Sequence, residues 1–154
     1  MPIILGISVA IMLTIPISPP TQLQCSNDKG LCYESTLTQV IDGDTIKDSE
    51  DQSIRFSLVS APELNEQGGE DSKAFLEALC PIGSKIFIDE DDGQMQGSYG
   101  RTIAQVHCNG MSMNAEMIYN NHATIDTRYC GASEFSFESW AVSCSLKPDE
   151  FLVR

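Results

Sequence analysis

Positive charge is scarce in this chain. Nine Lys and Arg stand against 22 Asp and Glu over 154 residues, giving a formal net charge of −13 and a pI near 4.3. Phosphate backbones are bound by Lys and Arg that displace counterions. A diffuse basic surface for nucleic acid is therefore excluded, and such a ligand would need a local cationic site or a bound metal. Acidity alone favours a solvated, salt-adapted surface. Histidine occurs only at His107 and His122, neither with ligand spacing around it, and no CxxC pair occurs, which argues against zinc. No internal repeat or low-complexity block is present, which excludes a repeat architecture.

Long apolar runs are also missing. The longest apolar stretch, Ile3–Ile17, fits the roughly 7–15 residues of a signal-peptide core and falls short of the ~20 that a spanning helix needs. No Lys or Arg precedes it, and Pro16, Pro19 and Pro20 interrupt any regular element at its end. We expect an export signal or N-terminal anchor over residues 1–24, a Cys-closed tether over 25–32 and one folded domain over 33–147. Membrane contact would come only through the leader, if it is uncleaved, and the product would be secreted or held at the cell surface.

Six cysteines lie beyond the leader, at Cys25, Cys32, Cys80, Cys108, Cys130 and Cys144. An even set in an exported chain suggests disulfides. Counting alone does not settle their pairing. Loop logic favours Cys25–Cys32 as a local clip and Cys130–Cys144 as a C-terminal staple, leaving Cys80–Cys108 to join a helix end to a strand.

Hydrophobic residues make up 42% of the chain, enough for a core. Ser35–Ile41 and Thr45–Lys47 read as strands around the turn Asp42-Gly43-Asp44. Ser53–Val59 alternates as a half-buried strand. Glu70–Cys80 carries helical spacing and stops at Pro81 and Gly83. Ser84–Ile88 and Arg101–Cys108 read as strands, with Asp89–Asp92 as a solvated acidic loop between them. Met113–Asn121 fits a short helix, and Ser133–Val142 a last one with Ser133 as its N-cap. Five short strands with three short helices read as an α+β protein built on a small Greek-key barrel.

Three segments can carry chemistry: Val40–Thr45 (VIDGDT), Arg55–Glu63 (RFSLVSAPE) and Ser98–Arg101 (SYGR). Alone, each is ordinary: a hairpin turn, a strand with a solvated arginine and a loop start, a strand beginning. Together they hold what phosphodiester hydrolysis needs. Carboxylates bind a hard cation through oxygen, another carboxylate orients or deprotonates water, and two guanidiniums clamp a phosphate as charge grows on it.

In this order and spacing the three segments resemble the staphylococcal nuclease family, from about Val40 to Tyr129, with Asn114 also at a family position. The resemblance implies a five-stranded OB-fold β-barrel with three short helices and a Ca²⁺-dependent phosphodiesterase acting on DNA or RNA, with single strands as the expected substrate. Its products would carry 3′-phosphates after cleavage on the 5′-oxygen side. It implies metal-site roles for Asp44, for Asp42 through metal-bound water and for the Ala61 carbonyl. Glu63 would activate water, Arg55 and Arg101 would hold the phosphate, and Tyr99 and Tyr129 would contact the nucleotide. The segment Tyr129–Phe135, with Trp140 and Cys144, resembles the disulfide-closed tail of exported members.

Two departures bear on activity. The family usually has an Asp where this chain has Ser60, and that Asp is a Ca²⁺ ligand. A neutral hydroxyl there lowers the expected Ca²⁺ affinity and activity. The family's reference member has a Lys at the position of Ser98, so one phosphate contact is absent. The competing expectations are a catalytically weak or inactive OB module that binds nucleic acid or Ca²⁺ at the cell surface, or a surface protein whose acidic loop binds Ca²⁺ structurally. A monomer with no protein partner is expected.

Overall fold

The computed structural model describes residues 25, 30–95 and 97–145. The expected leader, most of the tether and the residues after 145 lie outside the described residues. Cys32–Val40 (β1), Thr45–Asp48 (β2), Ser53–Phe56 (β3) and Val59–Ser60 (β4) precede the helix Gly69–Leu79 (α1). Then come Lys85–Glu90 (β5), Thr102–Cys108 (β6), Met111–Ser112 (β7), Met113–Tyr119 (α2), Thr124–Ile125 (β8) and Val142–Ser145 (α3).

Five of these strands close a barrel in the order β3-β2-β1-β5-β6, with β3 pairing back onto β6. The closing pairs, Ile54 with Thr102, Arg55 with Ile103 and Phe56 with Ala104, are parallel, and the other barrel pairings are antiparallel. β1 serves two neighbours: Cys32–Thr36 pairs with β5 and Leu37–Val40 with β2. A register shift at Thr38 marks the changeover, and its hydroxyl donates to the Asp48 carbonyl at 2.8 Å. One extra residue there bends the strand and lets a short sheet curl shut. This is the α+β, five-stranded OB-type barrel with three helices that the resemblance implied.

Alternation along the strands sends Leu37, Ile46, Ile54, Phe56, Ile86, Ile88 and Val106 into the barrel, none more than 2% exposed. Each such side chain contributes roughly 1.5–3 kcal/mol by leaving water. α1 covers one end through Leu76, and α2 through Met113 and Met117. Asn114 is fully buried at the closing seam, where its Nδ2 donates to the carbonyls of Ser57 (2.9 Å) and Ala104 (3.2 Å). Its Oδ1 accepts from the Val106 N–H at 3.0 Å.

Disulfides join Cys25–Cys32, Cys80–Cys108 and Cys130–Cys144, the pairing that loop logic favours. Cys80–Cys108 ties the end of α1 to the end of β6.

Three local expectations are corrected. The expected strand Ser53–Val59 breaks at Ser57-Leu58, where Leu58 takes a left-handed φ of 58° and the chain turns outward to pair β4 with β8. The expected helix Ser133–Val142 is instead a 3₁₀ turn, Glu134–Phe137, with α3 as a separate piece after it. Ser133 does cap that turn, accepting from the Phe135 N–H at 3.2 Å.

The acidic stretch is not a solvated loop. Asp89 and Glu90 extend β5, and Asp91 is fully buried. Its carboxylate accepts from Ser57 Oγ, from Gln94 Nε2 at 2.9 Å and from the N–H groups of Gly93 (3.0 Å) and Glu134 (3.2 Å). A buried carboxylate is tolerable only with such donors around it. Here they fasten the C-terminal segment to the barrel and leave the Asp91 oxygens engaged rather than presented to a cation.

Candidate active site

The turn between β1 and β2 is Asp42-Gly43-Asp44. The Asp42 carboxylate accepts from the Asp44 N–H at 3.0 Å, a local bond that fixes the turn. Gly43 is required by contact: a Cβ there would lie 2.6 Å from that of Ala61 and 2.7 Å from that of Ser72 on α1. Without a side chain the turn settles against both, and Asp44 is carried inward until only 3% of it is exposed.

Three elements converge on the buried carboxylate. Arg55, on β3 beside Thr45 of β2, donates from Nη1 to Asp44 Oδ1. Thr45 Oγ1 donates to the same oxygen at 2.9 Å, and the Ala61 N–H donates to Oδ2 at 2.8 Å. The second arm of Arg55, Nη2, donates to the Val59 carbonyl at 3.2 Å. The outward turn at Leu58 is what brings Val59 and Ala61 back against Arg55 and Asp44.

Burial pushes the Asp44 carboxyl up to about 6. The Arg55 guanidinium and the Ala61 N–H pull it down, and the neighbouring Asp42 pushes it up again. Desolvation thus exceeds the compensation these partners supply, and an added cation would relieve it. The oxygen donors at hand are the carboxylates of Asp42 and Asp44. Such a set suits a hard divalent cation, so these residues fit the Ca²⁺ that the motifs imply.

Ser60 lies in β4, half-buried, and its carbonyl accepts from Thr124 Oγ1 at 3.4 Å. Glu63 is exposed just beyond Pro62. Its N–H donates to the Glu66 carboxylate at 3.0 Å, and its carbonyl accepts from the Glu66 N–H at 2.8 Å, so its backbone is held in a turn while its carboxylate faces solvent.

On the far side of Arg55 lies an open cavity of about 550 Å³. Its wall includes Arg55, Val59, Gly93, Met95, Asp126 and Tyr129. Arg55 therefore borders both the Asp44 cluster and the cavity. Tyr99 is 95% exposed, with a φ of 63°, and the Arg101 guanidinium sits 5.6 Å from its ring centroid. Gly97 lines the cavity and lies against the Arg101 backbone.

The structure thus brings Asp42, Asp44, Arg55 and Ala61 together and sets Tyr129 in the cavity wall with Arg55. Glu63, Ser60, Tyr99 and Arg101 do not line the cavity. Sequence reasoning missed Asp126 and Arg128. Asp126 caps the turn Thr127–Tyr129 and holds Arg128 through Nε (2.8 Å) and Nη2 (2.7 Å). The hydrogen bonds to Arg128 hold the Asp126 carboxyl below the usual carboxylate range. The available signal was an Asp two residues before an Arg, next to Tyr129.

A family model described as staphylococcal nuclease homologue matches residues 53–136, more than half of the chain. Among curated proteins, endonuclease YncB of Bacillus subtilis (strain 168) is 30% identical over 99 residues, covering 58% of this chain and 46% of that protein. The SPbeta prophage-derived endonuclease YokF of the same strain is 28% identical over 99 residues, covering 58% of this chain and 33% of that one. An uncharacterised protein of Bacillus anthracis is 29% identical over 107 residues, covering 63% and 50%. The matched stretch thus spans half or less of each of these relatives.

Proposed function

The chain belongs to the staphylococcal nuclease family, and on that premise we propose that it is an exported, Ca²⁺-dependent nuclease that hydrolyses phosphodiester bonds of DNA or RNA. The observation that carries this reading is the position of Arg55. It pairs with the buried Asp44 on one side and borders the open cavity on the other. A guanidinium so placed can hold a phosphate at the edge of a cation site, as hydrolysis requires. Two of the relatives are named endonucleases, in keeping with this reading.

Each residue has a role in the proposal. Asp44, with Asp42 and the Ala61 carbonyl, would hold Ca²⁺, and bound Ca²⁺ would supply positive charge against the phosphate oxygens. Arg55 orients the phosphate through its fork of N–H donors. Glu63, held by the Glu66 turn with its carboxylate in solvent, orients or deprotonates the attacking water. Arg101 binds the phosphate and supports the leaving 5′-oxygen, so the product keeps a 3′-phosphate. Tyr99 and Tyr129 offer faces on which a base or sugar stacks. Stacking needs splayed bases, which favours single strands. Three disulfides suit an oxidising compartment outside the cytoplasm.

A second reading is favoured by one residue. Ser60 puts a neutral hydroxyl where the family usually has a carboxylate, and a barrel with a weakened cation site would bind nucleic acid and cleave it poorly. Cleavage of a labelled single strand with Ca²⁺, and again with chelator, separates the two. Chelator-sensitive cleavage supports the nuclease; binding without cleavage at any Ca²⁺ concentration supports the binding module.

A further inference from the structure

The described residues contain three arginines, Arg55, Arg101 and Arg128, in a chain of net charge −13; Arg55 lines the cavity, and Arg128 is held against two residues of its wall, Asp126 and Tyr129. Arg128 is the one with no part in the chemistry above. Its side chain is 76% exposed, and it is nonetheless fixed. Nε and Nη2 both donate to Asp126, and the guanidinium carbon lies 5.5 Å from the centroid of the Tyr129 ring. Asp126 is itself anchored: 9% exposed, with its N–H on the Leu58 carbonyl at 2.9 Å. An exposed ion pair contributes little to stability. What this pair does provide is orientation, with the rotamers of a long side chain settled before any ligand arrives.

A guanidinium has five N–H donors in a plane, and two are used on Asp126. The Nη1 edge remains for an acceptor. Asp126 lines the cavity together with Arg55 and lies within electrostatic reach of it. One carboxylate is thus shared by two guanidiniums.

We propose that Arg128, oriented by Asp126 and backed by Tyr129, is a substrate-binding residue that takes a second phosphate of a single-stranded nucleic acid, one beyond the phosphate held by Arg55. Asp126 is its positioning residue. The inference rests on the nuclease reading above and names a subsite of that same cavity. Its consequence is selective: strands spanning both phosphates gain from Arg128, and a substrate with one phosphodiester does not.

The test uses the full chain in chelator, with a fluorescent oligothymidylate of about 20 nucleotides read by anisotropy across a range of NaCl concentrations. Each phosphate contact on a single strand contributes a slope of about 0.7 to the fall of log affinity with log salt. R128Q should weaken binding roughly 5- to 20-fold, flatten that slope by about 0.7 and leave cleavage of a dinucleotide in Ca²⁺ within about two-fold of wild type. K85Q removes an equal charge from an exposed lysine on β5, outside the cavity wall, and should change binding less than about two-fold.

Should R128Q fail to fold, the D126N/R128Q pair keeps a hydrogen-bonded turn at unchanged net charge, and the same loss of slope is expected. An unchanged slope in the folded variant means that the pair only caps its turn and overturns the proposal. Equal effects of R128Q and K85Q, or an equal fall in dinucleotide cleavage, overturn it too. A wild-type protein that neither binds nor cleaves nucleic acid overturns the nuclease reading itself, and this proposal with it.

Discussion

Arg55 and Asp44 form an ion pair that crosses from β3 to the β1–β2 turn, with Nη1 on Oδ1 and the second arm of the arginine on the Val59 carbonyl. The pair ties the candidate cation site to the wall of the cavity. A change on either side of this joint should be felt on the other.

Glu63 and Arg101 lie away from the buried core, so replacing either should separate chemistry from folding. Glu63→Ala or Arg101→Ala should cost at least roughly 10²-fold in cleavage rate. Because Glu63 is exposed, thermal melting of the first variant should match wild type within a few degrees. A rate loss of only a few-fold would show that these side chains do not act on the reacting phosphate.

Asp44 makes the metal-free protein sensitive to pH. Burial raises its carboxyl from 3.8 to about 6, so between those values the folded chain holds a proton that the unfolded chain has released. Stability from this group is therefore full below the lower value and is lost as pH rises through the upper one. In chelator, the urea midpoint should fall as pH rises from about 4 to about 6. Asp44→Asn should flatten that part of the curve. Cation binding competes with the same proton, so Ca²⁺ affinity should fall below about pH 6. Parallel curves for wild type and Asp44→Asn would refute the assignment.

Ser60→Asp restores a charged oxygen ligand beside Ala61. It should tighten Ca²⁺ binding by about 1–3 kcal/mol, and cleavage at limiting Ca²⁺ should rise with it. Calorimetric titration of both forms is the measurement. Equal affinities would place Ser60 away from the cation.

Asn114 supports the site from behind. Replacing it with Ala leaves the Val106 N–H and the carbonyls of Ser57 and Ala104 without their partner at a buried seam. The expected cost is about 2–4 kcal/mol, read by denaturant unfolding. Asn114→Asp keeps the acceptor and loses the two donated bonds, so it should not rescue the protein. A loss below about 0.5 kcal/mol would mean that water takes over these bonds.

The barrel strands were legible because alternation is a local signal, and that the Asp44 and Arg55 segments share one site was implied by the resemblance of their motifs. The break at Ser57-Leu58 was not, since an alternating pattern runs straight through it. Its causes are distant: Ser57 binds Ala104 and Asn114, and the Leu58 carbonyl accepts from Asp126. The acidic stretch misled for the same reason. Four acidic residues in a row suggest water, but the donors that let Asp91 be buried include Ser57 and Glu134, both remote in sequence. Arg128 was not legible as a site residue because nothing near it in sequence showed that Asp126 faces the cavity.

The parallel seam between β3 and β6 also bears on the order in which the chain assembles. Residues 54–56 must find residues 102–104 across a long intervening stretch, and closing long loops is what slows the folding of β proteins. The Cys80–Cys108 bond spans 28 residues and ends just past the seam on β6. Once formed, it provides a bypass that shortens the path between the two strands. A chain oxidised early can therefore close its barrel by a shorter search than a reduced one, and the crosslink acts on the rate of folding as well as on the stability of what has folded.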